Sequence, residues 1–502
     1  MNAPDPATSV AAADNSPQPL SPAASPKVAV ASPVAAGSQI ETKNPSVRRE
    51  ETAADARGAV SVRRQVFTLA WPAVLEQLLF ALVGLVDAVI VGHLGPAAMT
   101  GVGLGGQVTF LAFAAFSGLG VGSTTLIARH TGAREPEEVN RLAWQSLVIA
   151  VVVGLVVAVF AWVAAEPAIQ IFLNDPEVIG LGALWLRVYA FSLPTLAVLT
   201  IGNAALRGSG DTRTPLFAMI LVNVINVGVA WTLVRILGVG IAGSAAGAML
   251  GQIAGGVLVG TLLWRGHAGI RLRDYVRGLD WSRIRRIFNV GLPASLEQLL
   301  LQGALMLLSG LIANMSTASF AAHIITWRIS GIAFLPGWGF AVAATTLVGQ
   351  ELGRRDPRRA MTAGFVAFRM ALLVMAIVGL PILLFPHQLA QLLLLDSAEV
   401  AGNAEVIRLA AITLQIAALM QLPMAGSFVF SGSLRGAGDT RTTLAITVFA
   451  IWTVRLLMAY VLGVVLGLGL TGVWWGIFGD FTARAVLFWL RFRFGKWQTI
   501  RV

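Results

Sequence analysis

A single acidic residue stands out near the end of the first long apolar stretch of the chain. Asp87 lies among Leu85, Val86, Val89 and Ile90. Holding a charge in apolar surroundings is costly, so an acid at this position is a candidate carrier of a coupling proton or cation. The alternative is a structural carboxylate that caps a loop or pairs with an arginine.

Two further acids belong to one repeated pattern. Residues 72–79 and 293–300 both read Pro-Ala-x-Leu-Glu-Gln-Leu-Leu. An acid and an amide after a proline, once in each half, are expected to line a central cleft and attract a cationic compound. The alternative is structural, because such side chains can satisfy backbone groups freed by a proline kink. The candidate hinge residues are Pro72 and Pro293, and the candidate cleft residues are Glu76, Gln77, Glu297, Gln298 and Arg328.

Charged residues also occur inside later apolar stretches. Arg328 is a functional candidate, since an arginine within a membrane span is rarely there without a role. We expect either a counter-ion to Glu297 or an ordinary structural pair. Asp480 and Arg484 are spaced i, i+4 and are predicted to pair with each other.

The composition indicates a polytopic membrane protein. Of the 502 residues, 56% are hydrophobic and only 12% are charged, with a mean hydropathy of +0.76. So few charged residues cannot cover a soluble protein of this length. The chain has no cysteine, which excludes disulfides and thiolate metal sites. Its histidines show no metal-ligand spacing and no phosphate-binding loop motif occurs, so we expect neither a metal, a cofactor nor an enzyme.

Apolar stretches of span length recur from about residue 63 onward. Between them, the loops after the even-numbered spans carry 18 Lys and Arg, whereas the opposite loops carry one, Arg235. The net charge of +11 therefore reflects membrane topology with both termini cytoplasmic, and no nucleic-acid partner is expected. The twelve predicted spans are 66–91, 99–128, 142–165, 179–206, 215–236, 241–264, 287–313, 318–349, 361–385, 403–433, 443–466 and 469–490.

The chain contains an internal repeat. Besides the proline motif at an offset of 221 residues, 206–214 reads Leu-Arg-Gly-Ser-Gly-Asp-Thr-Arg-Thr, and 434–442 differs from it at one position. Six spans in each copy predict two bundles related by a pseudo-two-fold axis along the membrane normal, with a cleft between them. The predicted divisions are a disordered tail 1–61, a first lobe 62–264, a basic linker 265–286, a second lobe 287–495 and a short tail 496–502.

These features resemble the multidrug and toxic compound extrusion (MATE) family. The resemblance rests on the two-lobed plan and on residues 84–95, 204–211 and 240–243, of which the first is similar to the DinF-like branch. It implies a monomeric all-α antiporter of the cell inner membrane that exports amphipathic, often cationic compounds, driven by H⁺ or Na⁺. By resemblance, Asn226 lies beside Asp87, with Asn223 a weaker candidate; Ala230 replaces a polar residue of the family.

One alternative function remains open at this stage. A related flippase of lipid-linked saccharides would need many basic side chains in its cleft to bind pyrophosphate. The arginines that keep this alternative open lie inside predicted spans: Arg187, Arg328, Arg369, Arg408, Arg455 and Arg484.

Overall fold

The computed structural model describes residues 45–276, 278–392 and 404–500. Its contacts divide the chain into two units, Met1–Ala54 and Asp55–Val502. Within the described part, the regular structure is helical, apart from one isolated bridge between His267 and Ile270. The larger unit contains every candidate residue named above.

The first half of the chain forms eight α-helices, some of which share a span. They are α1 (Pro45–Val91), α2 (Pro96–Ala133), α3 (Pro136–Val163), α4 (Ala165–Gln170), α5 (Pro176–Ala190), α6 (Leu193–Ser209), α7 (Arg213–Trp231) and α8 (Ile241–Arg265).

The second half follows the same order. Its helices are α9 (Trp281–Ala313), α10 (Thr317–Ala333), α11 (Leu335–Gly353), α12 (Pro357–Leu384), α13 (Pro386–Leu392), α14 (Ala404–Gly436), α15 (Thr440–Val448), α16 (Leu456–Tyr460) and α17 (Gly469–Phe494). Three π-helical segments interrupt these helices, at Thr232–Ile236, Phe449–Arg455 and Val461–Val465.

The described helices account for the twelve predicted spans. Nine helical segments are long and apolar enough to cross a bilayer, and two bent pairs bring the number to eleven. The pairs are α5 with α6, bent by 57°, and α10 with α11, bent by 41°. Helix α17, with 26 residues, is the twelfth, and Asp480 and Arg484 interrupt its apolar run. The all-α, twelve-helix, two-lobed fold class is therefore confirmed.

Local sequence explains where several helices begin and end. Proline occupies the first turn of α2, α3, α5 and α12, where its missing N–H costs no helical hydrogen bond. Asp280 caps α9 by accepting hydrogen bonds from the backbone N–H groups of Ser282 and Arg283. Gly210 ends α6 at a φ of 100°, a left-handed conformation that glycine adopts without strain.

The segment boundaries differ from the prediction at three places. Helix α1 begins at Pro45, inside the predicted disordered tail, because residues 46–60 are rich in the helix formers Ala, Arg and Glu; residues 1–44 lie outside the described part. Helix α9 begins at Trp281, inside the predicted linker. Near the C-terminus, Trp497 is fully buried and stacks on Phe492, so the predicted tail packs against its lobe.

The first helix of each lobe is shared between the two lobes. Val66 and Ala70, before Pro72, belong to the hydrophobic core of the second lobe. Ile284 and Ile287, before Pro293, belong to the core of the first lobe. The predicted boundaries assigned each of these helices to its own lobe, whereas the structure packs the early half of each helix on the opposite lobe. Both helices continue through their prolines without a break.

The interface between the lobes keeps the two-fold repeat. The Thr125 hydroxyl donates to the Arg435 carbonyl at 2.8 Å, and its repeat mate Thr346 donates to the Arg207 carbonyl at 3.0 Å. Gly132 and Gly353 are also mates, and a Cβ on either would lie 1.9 Å from a carbonyl oxygen of the opposite lobe. These contacts lie at the ends of α2, α6, α11 and α14 next to the basic loops. The lobes are therefore closed together on that face.

Candidate functional site

Asp87 is buried in the first lobe, one turn before the end of α1. The residue is 9% exposed, and the Asn226 side-chain amide of α7 donates to its Oδ1 at 3.1 Å. Among the described residues it has no ion-pair partner, so the arginine-paired alternative does not hold. The predicted proximity of Asn226 to Asp87 is confirmed.

Other residues complete the surroundings of this carboxylate. Tyr189 of α5 is buried and lies close enough to interact electrostatically with Asp87. Ala230 packs with Ile90 in a small apolar cluster and adds no polar atom. Tyr189 was not identified as a candidate from the sequence. Its signal in the sequence is the rarity of the residue type, since the chain has only three tyrosines.

Asn223 lies on the same helix as Asn226 but does not reach Asp87. Its amide donates to the carbonyls of Leu79 at 3.2 Å and Met219 at 2.9 Å. These bonds tie α7 to the backbone of α1. The side-chain oxygens of Asn223 and Asn226 are both buried, and neither has a hydrogen-bond partner among the described residues. Unpartnered acceptors near a buried carboxylate are suited to a proton donor, water or a cation.

The two repeated glutamates form matching ion pairs. Arg207 donates to Glu76 at 2.9 Å, and Arg435 donates to Glu297 at 2.7 Å. The arginines come from the repeated loop motif that ends α6 and α14, so each pair ties the first helix of a lobe to that lobe's loop. Both carboxylates are at least nine-tenths buried. Neither is therefore free to attract a cationic compound in this conformation, contrary to the sequence-based interpretation.

The remaining predicted cleft residues are less constrained. Gln77 and Gln298 are half-buried. Arg328 is exposed and does not pair with Glu297, whose second hydrogen bond comes from the Thr447 hydroxyl at 2.7 Å. The predicted counter-ion role of Arg328 is therefore wrong for this conformation, because the nearer Arg435 already occupies that carboxylate.

Sequence reasoning underestimated one buried cluster in the second lobe. Asp480 pairs with Arg484 at 2.7 Å, as the i, i+4 spacing predicted. Arg455, from the π-helical segment Phe449–Arg455, donates to the same Asp480 Oδ2 through Nε at 3.0 Å. All three side chains are more than nine-tenths buried. The signal in the sequence was Arg455, a charged residue inside the otherwise apolar span that precedes α17.

Comparison with known proteins places this geometry in a family. The MatE profile matches residues 72–232 and 293–461, once in each repeat and over more than half of the chain. The chain belongs to the MATE family. Each match begins at a predicted hinge proline, Pro72 or Pro293, and includes the glutamate, the repeated loop and the helix that follows it.

Individual MATE relatives cover nearly the whole membrane domain. A probable multidrug resistance protein NorM of Thermotoga maritima is 28% identical over 87% of this chain and 93% of that protein. A probable NorM of Rhodopseudomonas palustris is 30% identical over 84% and 90%. A solved structure described as the outward-facing conformation of a multidrug resistance MATE transporter has a TM-score of 0.81 and 25% identity, over 86% of this chain and 95% of that chain. The fold and the transporter family are thus established together.

Proposed function

We propose that this protein is a cation-coupled antiporter of the cell inner membrane that exports amphipathic, often cationic organic compounds by alternating access. The relatives named above are described as multidrug resistance proteins, which supports the substrate class. The predicted cytoplasmic location of both termini is part of the same proposal.

One observation carries the coupling proposal. Asp87 is buried with an amide as its hydrogen-bond partner. Each of the other buried acids among the described residues is paired with an arginine: Glu76, Glu297, Glu351, Asp439 and Asp480. A carboxylate without a permanent counter-charge changes its local electrostatics when it binds a cation, and a paired one changes them much less. Asp87 is therefore the residue best suited to report cation binding to the rest of the lobe.

The position of Asp87 on α1 suggests how the signal spreads. Helix α1 contacts its own lobe around Asp87 and the opposite lobe before Pro72, so a rearrangement at Asp87 acts on both. Proline removes one helical hydrogen bond, which makes residue 72 a natural place for α1 to bend. In the proposal, a cation from outside neutralises Asp87, α1 bends at Pro72, and the exported compound leaves the cleft.

The chemistry at Asp87 favours H⁺ as the coupling ion. A hard metal cation needs a shell of several oxygens. Here the described side chains near the carboxylate are the Asn226 amide, whose Nδ2 faces Asp87, and Tyr189, while Ala230 provides no oxygen. A proton needs only the carboxylate and an acceptor or donor beside it, which Asp87 and Asn226 supply.

The flippase alternative gains no support. Arg187 pairs with Glu166, Arg408 pairs with Glu405, and Arg455 and Arg484 share Asp480. These pairs leave fewer arginines for a pyrophosphate than the sequence suggested. The relatives reported above are described as multidrug resistance proteins and give no evidence for a lipid-linked substrate.

The test is efflux of ethidium or norfloxacin from vesicles under an imposed pH gradient or an imposed Na⁺ gradient. Wild type should respond to the pH gradient, and Asp87→Asn should reduce gradient-driven efflux to background, at least tenfold. Glu166→Gln is the matched control, because it removes an acid from an exposed pair outside the site and should transport like wild type.

Two results would contradict the proposal. Wild-type efflux by Asp87→Asn would remove Asp87 from the coupling mechanism. Efflux that responds only to Na⁺ would replace the proton by sodium and leave the export function intact.

A further inference from the structure

The π-helical segments allow the two lobes to be superposed residue by residue. A Cβ on Gly243 would meet Leu233, and one on Gly472 would meet Leu462. Likewise, Gly247 faces Ala230, and Gly476 faces Ala459. Each first-lobe contact corresponds to its second-lobe contact at an offset of 229 residues. This is one more than the offset of 228 between the two copies of the repeated loop. The segment Phe449–Arg455 supplies the extra residue, because its counterpart in α7 is ordinary α-helix.

At this offset, Arg455 occupies the position of Asn226. Asn226 lies one turn before Ala230, and Arg455 lies one turn before Ala459. The position that holds the amide beside Asp87 in the first lobe therefore holds a guanidinium in the second. The mate of Asp87 itself is Leu308, which is buried in the apolar core.

Helix α17, which carries Asp480 and Arg484, also differs from its first-lobe counterpart α8. Asp480 and Arg484 correspond to Gly251 and Gly255 of α8. In the first lobe, a Cβ on Gly251 would lie 2.7 Å from the Val222 carbonyl, so the two helices touch there. In the second lobe, two charged side chains replace these glycines.

The second-lobe cluster carries an excess of positive charge. Arg455 and Arg484 both donate to one oxygen of Asp480, and the Phe481 ring lies 4.2 Å from the Arg484 guanidinium carbon and 5.4 Å from that of Arg455. Glu297, which is already paired with Arg435, acts electrostatically on Arg484. Three arginines and two acids leave a net charge of +1 in this network.

The first-lobe interior has the opposite balance. The Glu76–Arg207 pair is neutral overall, and Asp87, at a separate place on α1, adds a charge of −1 when it is ionised. The −1 can be removed by a proton, whereas the +1 cannot, because arginine does not release its proton in proteins. A buried, permanent excess charge is costly unless a counter-ion accompanies it.

Two donors in the second-lobe network, Nε of Arg484 and Nε of Arg435, also lack a hydrogen-bond partner among the described residues. Arg484 is 6% exposed, and its Nε, although buried, makes no hydrogen bond among the described residues. Within the described part of the chain, Asp480 Oδ1 and Glu297 Oε2 also make no hydrogen bond. A guanidinium with an unused N–H and an excess charge is suited to an anion, and water that enters with the anion can donate to the two oxygens.

We propose that the second lobe holds a subsite for a small monoanion, a carboxylate or chloride, at Arg484 and Arg455. The subsite extends the proposed function, on which it rests for its physiological role: a compound with both an amine and a carboxylate would meet opposite charges in the two lobes. Binding at the subsite requires neither a gradient nor transport, so the two proposals can fail separately.

The test uses the purified full-length protein in detergent and radiolabelled benzoate as the probe, at constant ionic strength. Wild type should bind benzoate saturably, and Arg484→Gln should weaken the affinity at least tenfold. Arg493→Gln is the matched control, because it removes an exposed arginine from the same helix, α17, and should bind like wild type.

Chloride distinguishes the two sources of the anion. Displacement of benzoate by chloride, together with direct binding of radiolabelled chloride, would show one subsite that accepts both. Saturable binding of benzoate without chloride competition would assign the subsite to carboxylates, and binding of chloride alone would assign it to the inorganic ion. Binding of neither probe, or binding unaltered in Arg484→Gln, would overturn the proposal.

A second variant protects the test from a simple folding failure. Glu297→Gln raises the network charge by one and should tighten benzoate binding at least threefold. An increase in affinity cannot result from unfolding, and size-exclusion chromatography of each variant checks the folded state. Weaker or unchanged binding in Glu297→Gln would contradict the electrostatic basis of the subsite.

Discussion

The two lobes make the same contacts at their interface and differ in the charged residues of their interiors. At their interface, the mates Thr125 and Thr346 make the same hydrogen bond, and Gly132 and Gly353 make the same close approach. In their interiors, Asn226 beside Asp87 is replaced by Arg455 beside Asp480. A duplicated scaffold thus keeps the contacts that both copies share and is free to give each interior its own charge.

The glutamate–arginine pairs belong to the shared part of this comparison. Glu76–Arg207 and Glu297–Arg435 link corresponding helices and loops, and each arginine's backbone carbonyl also accepts from a threonine of the opposite lobe. The same loop residue therefore joins the first helix of its own lobe to the partner lobe. This dual contact gives a structural reason for an arginine at this position in both copies of the repeated loop.

The largest expected effect is a difference in protein stability between substitutions at the two interior acids, Asp480 and Asp87. Asp480→Asn should destabilise the protein by about 3–5 kcal/mol, because it leaves two buried arginines without their shared counter-charge. Asp87→Asn should have little effect on stability, because it removes a buried carboxylate that has no cationic partner. Thermal unfolding of both variants in the same detergent measures the difference. Equal losses of stability would contradict the inferred difference in charge pairing between the two acids.

An intermediate effect tests the correspondence between the lobes directly. Leu308→Asp places an acid at the mate position of Asp87, which the correspondence between the lobes sets beside Arg455. It should neutralise the second-lobe network and weaken benzoate binding about tenfold, equivalent to about 1.4 kcal/mol. The protein should stay folded, because the new acid has a buried arginine as its partner.

The matched control for this variant is Ile312→Asp, one helical turn later on α9. Ile312 is fully buried in the same apolar core, and its mate is Val91 rather than an acid. An acid there gains no arginine, so the variant should unfold at a lower temperature than Leu308→Asp. The reverse order of stability would show that the assigned correspondence is wrong.

The smallest expected effect concerns the interface. Thr125→Val and Thr346→Val each remove one hydrogen bond between the lobes without changing side-chain volume much. Each should cost about 0.5–1.5 kcal/mol, and the two costs should be similar because the contacts are mates. Thermal unfolding measures both, with Thr109→Val as the control, since its hydroxyl bonds within its own helix. A large difference in stability between the two variants would show that the two contacts share their geometry but not their energy.

The sequence by itself determined the helices, the repeat and the first-lobe acid. Span-length apolar stretches predict helices because a bilayer leaves the backbone no other partner, and the observed helices follow the predicted spans closely. Polar loop motifs repeat almost without change, so the two-lobed plan was readable. The i, i+4 pair of Asp480 and Arg484 was also predictable, because helix geometry alone brings those residues together.

The tertiary structure decided which charges meet. Glu76 and Arg207 are separated by 131 residues, and no local pattern indicates that a loop arginine reaches back to the first helix. The sharing of α1 and α9 between lobes likewise depends on packing around Pro72 and Pro293. The π-helical segment Phe449–Arg455 shifts the repeat by one residue, so only the structure aligns Arg455 with Asn226. A change of one residue turns a helix by about 100°, and side-chain direction inside a bundle is set by that rotation.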